Sequence, residues 1–199
     1  MVNKTIVGIL IYCILFYLLN YFFISFLELR LKWLYYFLYT FLEFSFFTFF
    51  IIQNIVIKKT KTILKVISFS FFCFLAFYFN FFPIKTLDAI PVGVETILIY
   101  IFIMPYLFSQ FRAESSPQIF KQYHFWIIIG IMLYLSGTFF FNILANELDR
   151  AQLREYWHLS YLADISKNLL FAFSIYIYVK SSSKKTEKVK TLPNLDFTL

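Results

Sequence analysis

Charge is scarce in this sequence. Only 15% of its 199 residues are Asp, Glu, Lys or Arg, where a soluble domain carries about 25%. So few charges could not cover the surface of a soluble globule, so an ordinary cytosolic enzyme and a disordered chain are excluded. Cysteine is scarcer still, at 2 residues, which excludes a disulfide-stapled secreted scaffold. Cys13 and Cys73 both fall in apolar runs and are expected as buried, inert thiols. The 4 glycines form no phosphate-cradling loop, and no H-E-x-x-H, G-x-S-x-G or Cys/His metal spacing occurs. No metal site, cofactor or catalytic residue is therefore expected, although paired carboxylates keep a lipid-modifying membrane enzyme open as an alternative.

What is abundant is apolar. Residues of the apolar class make up 61% of the chain and aromatics 24%, with 30 Phe. Phe, Ile, Tyr, Lys and Asn all have AT-rich codons, and lipid accepts any apolar side chain. The Phe excess is read as base-composition bias rather than a ligand cage. The apolar residues gather in six runs, at about 6–26, 33–57, 66–82, 90–108, 125–144 and 159–179. A bilayer core about 30 Å thick takes roughly 20 helical residues. Barrel strands are about half that length and alternate in polarity. The expected fold is all-α: a polytopic bundle of six transmembrane helices over residues 1–179, followed by a disordered basic tail over 180–199.

The distribution of Lys and Arg sets the expected orientation. With six spans, one side holds Lys4, the Lys58/Lys59/Lys61/Lys65 group, Arg112 and Lys121, and the tail residues Lys180, Lys184, Lys185, Lys188 and Lys190. The other side holds Arg30, Lys32, Lys85, Arg150 and Arg154, so the balance is twelve to five. Both termini are expected in the cytoplasm, in a bacterial inner (plasma) membrane. The first 75 residues lack Ala, so no A-x-A cleavage site is present and the first span is expected to be a retained anchor. The net charge of +7 is concentrated at cytoplasmic helix ends, where anionic lipid explains it without nucleic acid. His124 and His158 fall on opposite sides of the membrane, which argues against a shared haem or metal ion.

Ionisable residues inside a span cost on the order of 3 kcal/mol at the bilayer centre and are functional candidates. Glu43 lies near the middle of the second run. It is either a proton or cation site or a carboxyl that hydrogen-bonds a neighbouring helix. His158, Tyr161, Asp164 and either Lys167 or Asn168 recur at spacings of three to four and so share one helix face. That face is either an extracytoplasmic pocket or a stretch at the membrane interface. Glu95 lies at a similar outer depth. Depth alone groups Glu95, Asp164 and Lys167 into one outer cavity, with Asn142 and Asn146 at its rim. Gly130, Ser136 and Gly137 equip the fifth run for close helix contact. Pro105 is expected to kink the fourth. Trp33, Trp126 and Trp157 stand near span ends, as in an aromatic belt. The two halves do not mirror each other, which weakens an inverted-repeat transporter.

The segment Leu38-Tyr39-Thr40-Phe41-Leu42-Glu43-Phe44, together with Phe125-Trp126-Ile127, Gly130, Tyr134, Ser136-Gly137 and Phe140, resembles small bacterial multi-helix membrane proteins of unassigned function. It also resembles the membrane-embedded N-terminal sensor regions of bacterial histidine kinases. Such kinases continue into a dimerisation helix and an ATP-binding domain, whereas only residues 180–199 follow the last run here. The resemblance implies a sensory, signalling or accessory module without its own catalytic domain, working with a membrane kinase or other signalling partner. A small proton- or ion-coupled transporter or channel is the first alternative.

Overall fold

The computed structural model describes residues 3–26, 32–55, 57–82, 89–113, 116–145, 148 and 150–190. These form six α-helices: α1 (Lys4–Phe26), α2 (Lys32–Asn54), α3 (Lys58–Phe81), α4 (Ala89–Ala113), α5 (Tyr123–Ala145) and α6 (Arg150–Lys190). A short 3-10 helix, Ser116–Lys121, precedes α5. Each of the six α-helices contains a segment long and apolar enough to cross a membrane. The large apolar side chains left exposed, among them Leu10, Ile14, Phe69 and Leu169, suit contact with lipid rather than water.

Several helices run past the apolar stretches that announce them, although α2 stops at Asn54, short of residue 57. α3 begins at Lys58, not near residue 66, and α4 continues through Pro105 to Ala113. The largest departure is α6, whose 41 residues span about 60 Å at ~1.5 Å per residue. Its apolar part is only His158–Ser182. Residues 180–190, expected to be disordered, are therefore helical. Lys and Glu are good helix formers, and an existing helix adds further turns without a new nucleation cost. Composition marks where lipid ends, not where hydrogen bonding ends.

Inside the spans most hydroxyl and amide groups are satisfied by their own helix. Ser45 donates to the Phe41 carbonyl at 2.6 Å, Ser68 to Leu64 at 2.8 Å and Thr96 to Val92 at 2.8 Å. Asn54 donates to the Phe50 carbonyl at 2.7 Å. Turning back onto the carbonyl four residues earlier removes the cost of an unpaired polar group in hydrocarbon.

α2 is the central helix and touches α1, α3, α4 and α5, while α5 and α6 share the most extensive contact. Small residues make that contact possible. A Cβ added at Gly137 would stand 2.7 Å from the Ala163 Cβ, and one at Gly130 would stand 3.3 Å from the Leu170 Cβ. Phe44, Phe47, Phe50 and Ile51 of α2 are fully buried between their neighbours. Cys13 is half-buried but Cys73 is exposed on the outside of α3, contrary to the expectation for both thiols. A position inside an apolar run is compatible with lipid contact, so membership of the run did not imply burial in protein.

Candidate functional site

Four helices bring polar side chains to one place in the middle of the bundle. Lys167 of α6 is 2% exposed. Its ammonium lies 2.7 Å from Asp164 Oδ1, one turn earlier on the same helix. It also donates a hydrogen bond to the Tyr12 hydroxyl of α1 at 2.8 Å. Tyr12 in turn donates to Glu43 Oε1 of α2 at 3.5 Å. The Tyr134 ring of α5 completes the enclosure, with the Lys167 nitrogen 3.9 Å from its centroid. That placement lets the ring quadrupole offset part of the desolvation of the cation. The hydroxyls of Tyr134 and Tyr39 are 3.0 Å apart, and the Tyr134 hydroxyl is also within reach of the Glu43 carboxyl.

The surroundings are aromatic. Ring centroids of Phe16, Phe46, Phe47 and Phe171 lie 4.4, 5.5, 5.6 and 6.0 Å from that of Tyr12. Tyr12, Glu43 and Lys167 are buried among these rings, so each charge there acts on its neighbours more strongly than it would in solvent. The chain of groups has one open end, because the Asp164 side chain is 48% exposed and its other oxygen accepts from Asn168 at 3.3 Å. Glu43, at 4% exposure, is closed off.

Glu95 of α4 is the unusual member. It is 1% exposed, and neither carboxyl oxygen has a hydrogen-bond partner among the described residues.

The grouping expected from depth is thus only partly realised. Lys167 and Asp164 do pair, but their inward connection runs to Glu43 rather than to Glu95. Asn142 turns back to the Thr138 carbonyl at 2.7 Å and takes no part. Asn146 lies outside the described residues. The shared face drawn through His158, Tyr161 and Asp164 does not point inward, since His158 and Tyr161 are exposed. The interior stripe of α6 is Ala163, Lys167, Phe171 and Ser174, which selects Lys167 over Asn168. At about 100° per residue, a one-residue error in phase moves such a face by more than a quarter turn. Tyr12, Tyr39 and Tyr134 were missed because tyrosine is common here, at 15 residues, and is ordinarily read as an interface anchor. Their one sequence signal is position, since each stands well inside an apolar run.

Among the described residues no three His, Cys, Asp or Glu side chains gather to hold a metal ion. His124 packs against Tyr123 with ring centroids 3.7 Å apart and the planes tilted by 38°. No protein-family model, no curated protein and no solved structure matches this chain.

Proposed function

We propose that this is a small proton- or ion-coupled transporter of a bacterial plasma membrane, with both termini in the cytoplasm. One observation carries the reading: a single buried ammonium, Lys167, is joined directly to the Asp164 carboxylate and through Tyr12 to the Glu43 carboxyl, while a third carboxyl, Glu95, is buried on α4 without a hydrogen-bond partner among the described residues. Such a set is short of positive charge in a medium where uncompensated charge is costly. It takes up positive charge from water, and the exposed Asp164 is its natural point of access. Ionisable groups at this depth are costly and, where present, commonly mark ion or proton pathways. Purified protein in liposomes is expected to drive pH-dependent flux of a small ion. In Glu43→Gln that flux is expected to fall about a hundredfold, the low end of what a positioned proton carrier contributes. Unchanged flux in the variant, or none for any ion tried, overturns the proposal. Orientation has its own check: fluorescent reporters fused at either end are both expected to report from the cytoplasm, and opposite locations refute six spans.

A second reading, a sensory or accessory module with a membrane kinase or similar partner, is favoured by α6. That one helix carries Lys167 at the network and the basic residues Lys184, Lys185, Lys188 and Lys190 beyond the apolar span. A change of charge at Lys167 displaces an element that leaves the membrane. Cross-linking in native membranes that recovers a kinase supports this reading, and an uncross-linked protein with intact ion flux counts against it.

A further inference from the structure

We propose that the groove between α1 and α2 holds one acyl chain of an anionic phospholipid, whose phosphate pairs with Lys4. The proposal needs only that the helices cross a membrane, and it is independent of the ion-coupled reading. The groove has a volume of about 510 Å³, within the ~300–1,000 Å³ of ordinary ligand sites. α1 contributes Val7, Gly8 and Ile11 to its walls, and α2 contributes Phe46 and Phe49. A Cβ added at Gly8 would press on the Phe50 and Phe49 rings, at 3.0 and 3.1 Å. At that point α1 therefore meets α2 through bare backbone.

Two polar side chains line the groove, Ser45 and Lys4. The Ser45 proton is spent on the Phe41 carbonyl of its own helix. Lys4, at the mouth, is exposed and has no ion-pair partner among the described residues. Its neighbour Thr5 donates to Gln53, near the end of α2, at 2.7 Å. That bond fixes Lys4 at the end of the bundle where α3 begins with Lys58 and Lys59. The distance from Lys4 to Ile11 is about 10 Å along the helix at ~1.5 Å per residue, and one leaflet of hydrocarbon is about 15 Å deep. The groove thus starts at headgroup level and ends within the same leaflet. An ammonium at one end with hydrocarbon below it is the complement of an amphiphile with an anionic head. A polar metabolite finds no free donor below Lys4. The comparable groove between α5 and α6, about 590 Å³, has no charged side chain in its lining and so selects no headgroup.

Native mass spectrometry of the full chain in detergent tests this, with phosphatidylglycerol and phosphatidylcholine of identical acyl chains added in equal amounts. The first lipid retained is expected to be phosphatidylglycerol, by about fivefold, the effect of one basic side chain beside an anionic headgroup. Lys4→Gln is expected to keep a lipid but to lose the preference. Lys65→Gln, which removes an exposed lysine of α3 outside the groove, is expected to retain the preference. Ser45→Phe fills the groove and is expected to lose the first lipid, with native circular dichroism. If that variant fails to fold, Ile11→Trp decides instead, because Ile11 is 48% exposed and a larger ring there fills the groove from its open side. Equal retention of the two lipids by the native protein overturns the proposal, as does a lipid that survives in the filled groove. A preference that survives Lys4→Gln, or that falls equally in Lys65→Gln, overturns it in favour of overall charge. A dimer in place of the lipid adduct overturns it in favour of a second copy of the chain.

Discussion

Lys167→Met is expected to unfold about 3 kcal/mol more readily than the native protein, the lower end of the cost of breaking a buried charge pair by removing one partner. Methionine nearly matches the lysine stem in volume, so little packing is lost. What changes is charge. Asp164 and Glu43 lose the ammonium that lies 2.7 Å from the first and is linked through Tyr12 to the second. The lower end applies because the Asp164 side chain is half exposed and keeps part of its solvation. The double variant Lys167→Met with Asp164→Asn is expected to recover about half of the loss, since the orphaned anion is gone, and adding Glu43→Gln recovers most of the remainder. Denaturant titration of the protein in bicelles measures all three. A Lys167→Met variant as stable as the native chain, or a double variant no better than the single, shows that the ammonium is not the keystone of this network.

Gly137→Ala is expected to lose about 1–3 kcal/mol, the usual range for overpacking a close contact. The added methyl would lie 2.7 Å from the Ala163 Cβ. Neither atom is the end of a flexible side chain, so α5 and α6 must separate. Lys167 stands one turn beyond Ala163 on the same buried stripe, so separation also draws the ammonium away from the Tyr134 ring. Ala163→Gly in the Gly137→Ala background exchanges the methyl between helices and is expected to restore stability to within about 0.5 kcal/mol. The same bicelle titration, with ion flux alongside, reads both. A neutral Gly137→Ala, or no rescue by Ala163→Gly, removes the close α5–α6 contact as an explanation for the two small residues.

In each of these two expectations one residue was legible in the sequence and its partner was not. Gly137 stands out from an aromatic run, and small residues in a span announce a helix interface before its partner is known. Lys167 stands out equally, because an ammonium in a span is costly wherever it points. Their partners were not legible. Ala163 is one of several small residues in the chain, and Tyr12 is one of fifteen tyrosines. Depth placed Glu95 with Lys167, yet depth measures position along the membrane normal only. Which helices stand side by side is a separate quantity, fixed by the fit of side chains between them.

The sequence by itself determined that this chain is helical, that it has six stretches able to cross a membrane, and which few ionisable residues lie inside them. Those conclusions follow from length and polarity, because hydrocarbon accepts only long apolar segments with internally satisfied backbones. Helix packing alone shows that Lys167 faces Tyr12 and Tyr134, that Glu43 stands behind Tyr12, and that Glu95 is left without a hydrogen-bond partner among the described residues. The structure also decided that helix outlasts the apolar stretch in α6. The physical reason is that lipid and protein interior are equally apolar. Composition therefore separates membrane from water sharply, but does not tell which side of a spanning helix meets lipid and which meets another helix.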